Sequence, residues 1–274
     1  MTNSWPIAIT TPDQVVENFP DVLHELANLE WAAVVIRNFY APEHCQEVVD
    51  RIRNNSERLV TTKEYANSAG AKVALRYIGP GLGQYHNDRE SYFRESRLAD
   101  HKLVSLYTDL PDPRKMVRDM IGKLLPGREV VIGSEDGIPY SDAVVRIMVE
   151  GDQSALHRDS ALTYFKGWMV SQYPTQFSSL VCFQMSDSGG ELVVYKRRWK
   201  LEDDDQKQEG VTGFPYSIID GAESCMITPQ QGDLYIFHPE IFHDIRPMQG
   251  SLDRITQGIF FAISPDDNRV VSWG

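Results

Sequence analysis

Cysteine is scarce, with Cys45, Cys182 and Cys225 the only three in 274 residues. They share no metal-type spacing, and any disulfide scheme leaves one unpaired, which points to a reducing compartment. No apolar run approaches the roughly 20 residues of a membrane span. The opening Met1-Thr2-Asn3-Ser4-Trp5-Pro6 has neither the basic start nor the apolar stretch of a signal peptide. A cytoplasmic protein with no membrane partner is expected. Positive charge is also short: 27 Lys and Arg against 39 Asp and Glu leave a net −12. A phosphate backbone would repel such a surface, so a nucleic-acid partner is not expected. Much of the acidic excess sits in runs such as Glu202–Asp205, which read as solvated loop.

What is present suits a globular protein: 42% hydrophobic and 24% charged residues allow a sizeable core. The first half reads as helical with a few strands. A helix opening at Thr11-Pro12 carries Val15, Val16, Phe19, Val22, Leu23 and Leu26 on one stripe, and Pro20 is placed to break it. Trp31–Tyr40 is a β-branched and aromatic run expected to be a strand. Ala41-Pro42-Glu43 starts a second helix with Cys45, Val48, Val49 and Ile52 facing the core. A strand is expected at Lys72–Ile78, and helices at about 89–109 and 113–125. From about residue 141 short strands take over: Ala143–Val149, Gln176–Met185, Leu192–Trp199, Ser224–Thr228, Asp233–Phe237 and Ile255–Ile263. Turn signals such as Ser188-Gly189-Gly190 and Gln231-Gly232-Asp233 separate them. The pattern predicts a mainly β fold with flanking helices, one domain over 1–274, with a helical layer in 1–140 packed on a jelly roll or barrel in 141–274.

Leu156-His157-Arg158-Asp159 sets an imidazole and a carboxylate two residues apart. In extended chain both project to one side while Arg158 points away. His243, after Gly232-Asp233-Leu234-Tyr235-Ile236-Phe237, supplies a third ligand from a different strand; His238 competes with it and is disfavoured. Two His and one carboxylate on one face of an octahedral metal leave three positions open, as in Fe(II) oxygenases. A bidentate 2-oxo acid and O2 need those positions. Arg254, eleven residues after His243, has the fork to clamp the far carboxylate of 2-oxoglutarate, and Thr256 on the same strand face adds a hydroxyl. Fe(II), Asp159, dianionic 2-oxoglutarate and Arg254 then sum to zero charge, as a desolvated pocket requires.

At these residues the sequence resembles the Fe(II)/2-oxoglutarate-dependent dioxygenases of the double-stranded β-helix (cupin-like) fold. More narrowly, it resembles the branch that holds N-succinyl amino acid hydroxylase and the carrier-independent halogenases of alkaloids and free amino acids. The shared features are Lys72-Val73-Ala74, Arg146 in VVRIMVEG, GGELVVY (Gly189–Tyr195), GDLYIF (Gly232–Phe237), and His243 with Arg254 and Thr256. The resemblance implies Fe(II), 2-oxoglutarate and O2 as cofactor and co-substrates, and a small-molecule substrate such as an amino acid, an N-acyl amino acid or a natural-product intermediate. The halogenases replace the metal carboxylate with Gly or Ala; Asp159 in that position implies hydroxylation instead.

The resemblance also places Ala71–Ile78 beside the substrate, which makes Arg76 a candidate for a substrate carboxylate. Arg146, in an apolar strand, is a candidate for the co-substrate, and Tyr164, Phe165 and Trp168 for a substrate wall. Gly79-Pro80-Gly81-Leu82-Gly83 lacks the strand-then-helix setting of a phosphate loop and reads as a mobile loop near the substrate. Two rival readings remain: a cupin-like metal isomerase or hydrolase without 2-oxoglutarate, and a non-catalytic ligand-binding barrel. The first leaves Arg254 and Thr256 without a purpose, and the intact ligand set argues against the second. A homodimer is open.

Overall fold

From residue 144 onward strand follows strand, and the chain passes back and forth between two sheets. In this computed structural model the described residues are 5–66, 72–85, 88–207 and 213–274, with the backbone alone described at 65, 66, 72 and 73. Ala71 and Met1–Ser4, named above, lie outside them. The strands are β1 (Ile7–Thr10), β2 (Ala33–Ile36), β3 (Thr61–Ala66), β4 (Lys72–Ile78), β5 (Glu129–Ile132), β6 (Ser134–Glu135), β7 (Ile138–Pro139) and β8 (Val144–Met148). They continue with β9 (Ser154–His157), β10 (Thr175–Gln184), β11 (Leu192–Arg198), β12 (Ser224–Ile227), β13 (Leu234–Phe237), β14 (Ile241–Ile245), β15 (Arg254–Ser264) and β16 (Asp267–Trp273). The helices are α1 (Val15–Asn18), α2 (Val22–Ala27), α3 (Pro42–Asn54), α4 (Ser56–Leu59), α5 (Arg89–Leu106), α6 (Pro113–Leu124) and α7 (Ala161–Tyr164).

Strands β8, β15, β10 and β13 lie side by side in a ten-stranded sheet, and β9, β14, β11 and β12 form a four-stranded one. This partition of β8–β15 is a double-stranded β-helix, the jelly roll expected from the strand pattern. The helical half adds to the same large sheet: β2 and β1 extend it past β13, and β4 and β3 past β8. β15 is the spine, paired along one edge with β10 and along the other with β8 and then β16.

Strands β2 and β13 are buried at every residue, because helices cover one face of the large sheet and the small sheet covers the other. On the helix side, Val48, Val49 and Ile52 of α3 and Val117, Met120 and Ile121 of α6 share one core with Leu234, Ile236, Ile259 and Phe261. Each such side chain contributes about 1.5–3 kcal/mol by burial. Asp88 and Asp112 cap α5 and α6, accepting from Ser91 N at 3.0 Å and Arg114 N at 2.9 Å. All three cysteines are free and buried, and burial pushes the Cys45 and Cys182 thiols up to about 12. Among the described residues no helix is long and apolar enough to cross a membrane.

Three boundaries depart from expectation. The first helix starts at Val15, and with Pro20 between its halves it forms only the short α1 and α2. The strand expected over Trp31–Tyr40 contracts to β2, because Asn38 takes a φ of 55° and turns the chain. The helix expected to run to 109 ends at Leu106, before Asp109 at φ 61°.

Candidate metal centre and cofactor pocket

β9 and β14 are antiparallel neighbours, and their register sets His243 opposite His157. The ring centroids are 4.2 Å apart. Asp159 lies just past the end of β9, where its amide donates to the Pro239 carbonyl at 2.9 Å. That bond ties the ligand-bearing turn to the segment leading into β14. Asp159 Oδ2 then stands 3.4 Å from His243 Nε2 and 4.0 Å from His157 Nε2. The three ligating atoms all lie within 4.8 Å of one another.

Both imidazoles are aimed by the same device. His157 Nδ1 meets the Ala155 carbonyl at 2.7 Å, and His243 Nδ1 meets the Ile241 carbonyl at 2.9 Å. A carbonyl only accepts, so each Nδ1 carries the hydrogen and each Nε2 turns a lone pair toward Asp159. Metal-binding histidines are commonly held this way. Three acceptors converging on one point call for a cation between them, and this donor set fits a divalent metal. Burial, followed by the neighbouring His243, pushes the His157 pKa down, which keeps the ring neutral and ready to ligate. For Asp159, burial would raise the pKa. Its neighbours His243 and His157 and the Arg146 charge outweigh it, so the carboxyl is held below its usual range.

His238 is not part of the cluster. It is 3% exposed, with Nδ1 3.1 Å from the Gln176 carbonyl and Nε2 3.2 Å from Arg198 Nη1. Burial and the Arg198 charge lower its pKa to about 4.

Arg254 opens β15 with 2% exposure. Its Nη2 donates to Tyr235 Oη at 2.8 Å and its Nη1 to Thr256 Oγ1 at 3.4 Å, while Nε has no partner. Among the described residues no ion pair includes it, so a buried cation is held by neutral groups alone. The pocket therefore fits an anion. Tyr235 shares a strand face with Phe237, whose ring lies 5.1 Å from that of His243, so the guanidinium and the ligand set face the same space between the sheets. Gly190, at φ 73°, packs against Arg254: a Cβ there would stand 2.7 Å from Ser186 Oγ and 3.1 Å from Arg254 Cδ. Arg146 is registered beside Thr256 on β8, and its Nη2 would stand 3.2 Å from a Cβ at Gly81.

A cavity of about 320 Å³ opens on His157 and Asp159, and Tyr164 and Phe165 line it. Trp168 does not; it stacks on Tyr140 and Phe93 and packs edge-on against Phe165 at 5.8 Å. Arg76 is also off the lining. It pairs with Asp152 at 3.2 Å, its side chain 31% exposed, so an internal acid already answers its charge. Arg158, expected to point away, lines the cavity, because β9 ends at His157 and strand alternation stops there. Gln176, Phe260 and Trp273 also line it, the last two stacked at 5.9 Å. Sequence reading missed both; the signal for Phe260 was its place after Gly258 on the Arg254–Thr256 face of β15, and Trp273 is its registered neighbour on β16.

Comparison with known proteins adds the following. Residues 9–274 match the family model described as carrier-protein-independent halogenase WelO5. The Leucinostatins biosynthesis cluster protein S of Purpureocillium lilacinum is 29% identical over 157 residues, which is 54% of this chain and 63% of that protein. The match thus spans less than two thirds of that relative's length. Among solved structures, an N-substituted L-amino acid dioxygenase from Burkholderia ambifaria AMMD, in complex with alpha-KG, superposes with a TM-score of 0.60 at 17% identity, covering 92% of this chain and 90% of that one. The non-haem alpha-ketoglutarate-dependent epimerase SnoN from nogalamycin biosynthesis superposes with a TM-score of 0.52 at 13% identity, covering 89% and 87%. At these identities the likeness speaks to the fold.

Proposed function

The chain belongs to the carrier-protein-independent halogenase WelO5 family, and from that premise we propose an oxygenase that uses Fe(II) and 2-oxoglutarate to hydroxylate a small molecule. His157, Asp159 and His243 would hold the iron, and Arg254 with Thr256 the far carboxylate of 2-oxoglutarate, with Arg146 beside them. Bound there with O2, the iron and keto acid supply the oxidising power for a C–H bond, with succinate and CO2 released.

The chain's own residues set the rest. The Ala155 and Ile241 carbonyls fix the two imidazoles, and the Pro239 carbonyl fixes the turn that carries Asp159. Tyr235 and Thr256 hold the Arg254 fork. Tyr164, Phe165, Phe260 and Trp273 give the cavity apolar walls that exclude water from a reacting carbon. A volume of about 320 Å³ suits a small molecule. An amino acid, an N-acyl amino acid or a natural-product intermediate is the substrate class favoured. An N-substituted L-amino acid dioxygenase shares the fold, and a biosynthesis-cluster protein is a relative.

The observation that carries hydroxylation rather than halogenation is Asp159 itself. Its carboxylate oxygen faces both imidazole nitrogens, filling the place that a chloride would need. The test is a small-molecule library with Fe(II), 2-oxoglutarate, ascorbate and chloride, read as succinate and by mass spectrometry of the products. Hydroxylated products without chlorinated ones are expected, and Asp159→Gly should lose them. Chlorination by the native protein would overturn the reading.

A further inference from the structure

A second guanidinium without a counter-ion stands on the cavity wall. Arg158 is 5% exposed, and its Cζ lies 3.9 Å from the Trp199 ring centroid and 4.9 Å from that of Tyr164. Those faces hold it in place but accept no hydrogen bond in the plane of the fork. Its Nε and Nη2 are buried with no hydrogen-bond partner, and among the described residues no ion pair includes it. Glu240 feels its charge, but its carboxylate accepts from Ser160 Oγ at 2.7 Å instead.

Lys207 also lines the cavity and is paired with Asp204 at 3.0 Å. Lys207 stands over Phe214 at 4.4 Å and Tyr164 at 5.5 Å. Among the described lining residues Asp159 is the only carboxylate, and it faces the imidazoles. A buried fork with unbonded donors, apolar walls beside it and no carboxylate bonded to it is a receptor for a planar anion.

We propose that Arg158 is the specificity residue of the cavity and binds a carboxylate of the substrate, whose apolar part lies against Phe165, Phe260 and Trp273. The assignment rests on the oxygenase reading only in placing the oxidised carbon at the His157/Asp159 end. Because Arg158 lies between those two residues in the chain, the distance from the carboxylate to the target carbon sets which C–H bond faces the metal site.

The test is calorimetry on the protein saturated with Ni(II) and 2-oxoglutarate, repeated without metal. The probes are four carboxylates from isovalerate to N-acetyl-phenylalanine, each against its own carboxamide. The native protein should bind at least one acid tenfold or more tighter than its amide. Arg158→Gln should bind acid and amide alike, and Arg158→Lys should recover part of the preference. Ni(II) and 2-oxoglutarate affinities should stay unchanged in both variants. A merely structural Arg158 would lower the melting temperature and leave the acid-to-amide ratio intact, and that result overturns the proposal. So does a native protein with no preference in any pair. If Arg158→Gln fails to fold, the Arg158→Lys ratio decides: a value equal to the native one sinks the assignment. Loss of 2-oxoglutarate binding with the acid preference kept would instead defeat the oxygenase reading and leave Arg158 standing.

Discussion

On its helix side, the ten-stranded sheet presents Phe183, Leu234, Ile236, Ile259 and Phe261 to a dry core. Among the described residues the four-stranded sheet carries no helical cover of that kind. Its adjacent strands β9 and β14 bring His157 and His243 together, and its outer face keeps only a small cluster around Leu156, Phe214 and Phe242. The large sheet with its helices is therefore where apolar burial accumulates, and the small sheet is where lone pairs are aimed. Arg254 is the exception that joins them: it belongs to a strand of the large sheet but reaches into the space between the two.

That division can be broken most sharply by paired substitutions. His243→Ala should abolish Fe(II) retention and succinate formation, a loss beyond the roughly 10–100-fold that attends changes to a ligand's outer partners, with little change in melting. Phe261→Ala should do the reverse, costing about 3–5 kcal/mol of stability with metal affinity intact. If either variant lost both properties, the two sheets would not be separable.

His238 sharpens the comparison through pH. Its folded pKa of about 4 lies below the ordinary 6.5 because of burial and the Arg198 charge. The unfolded chain takes up a proton in that window and the native chain does not. Stability is thus fully present above 6.5 and falls as pH drops toward 4, by about 3 kcal/mol for a shift of this size. Denaturant titrations should find this slope reduced in His238→Gln.

Arg254→Met tests the joint between the sheets. The affinity for 2-oxoglutarate should fall about 10–100-fold, as expected for lost hydrogen bonds to a charged group. The free protein should unfold at a higher temperature, since a buried charge with only neutral partners has gone. The smallest effect is expected at Arg76. Its pair with Asp152 is partly exposed, so Arg76→Ala should cost at most about 1 kcal/mol and leave substrate KM unchanged.

Much of this was legible in the chain. Alternation and turn residues gave β8, β10, β11, β12, β13 and β15, and the His157, Asp159 and His243 pattern pointed to residues whose ligating atoms lie within 4.8 Å of one another. The strand that holds His243 was not legible, because β14 (Ile241–Ile245) is short, follows Pro239 and Glu240, and mixes His and Asp into an apolar run. β9 was missed likewise. Its early end explains the misplacement of Arg158, since alternation predicts a side chain's direction only while the strand lasts. Arg76 misled for a different reason: its partner Asp152 sits in a turn that no local pattern connects to β4.

The pairing of His157 with His243 has a consequence for how the protein is made. Neither β9 alone nor any stretch synthesised before β14 contains the metal site, because the register joining them is a long-range contact. Such contacts form late, after distant segments have closed on one another. Iron uptake should therefore follow folding rather than guide it, and the appearance of metal affinity during refolding would time the moment at which the barrel closes.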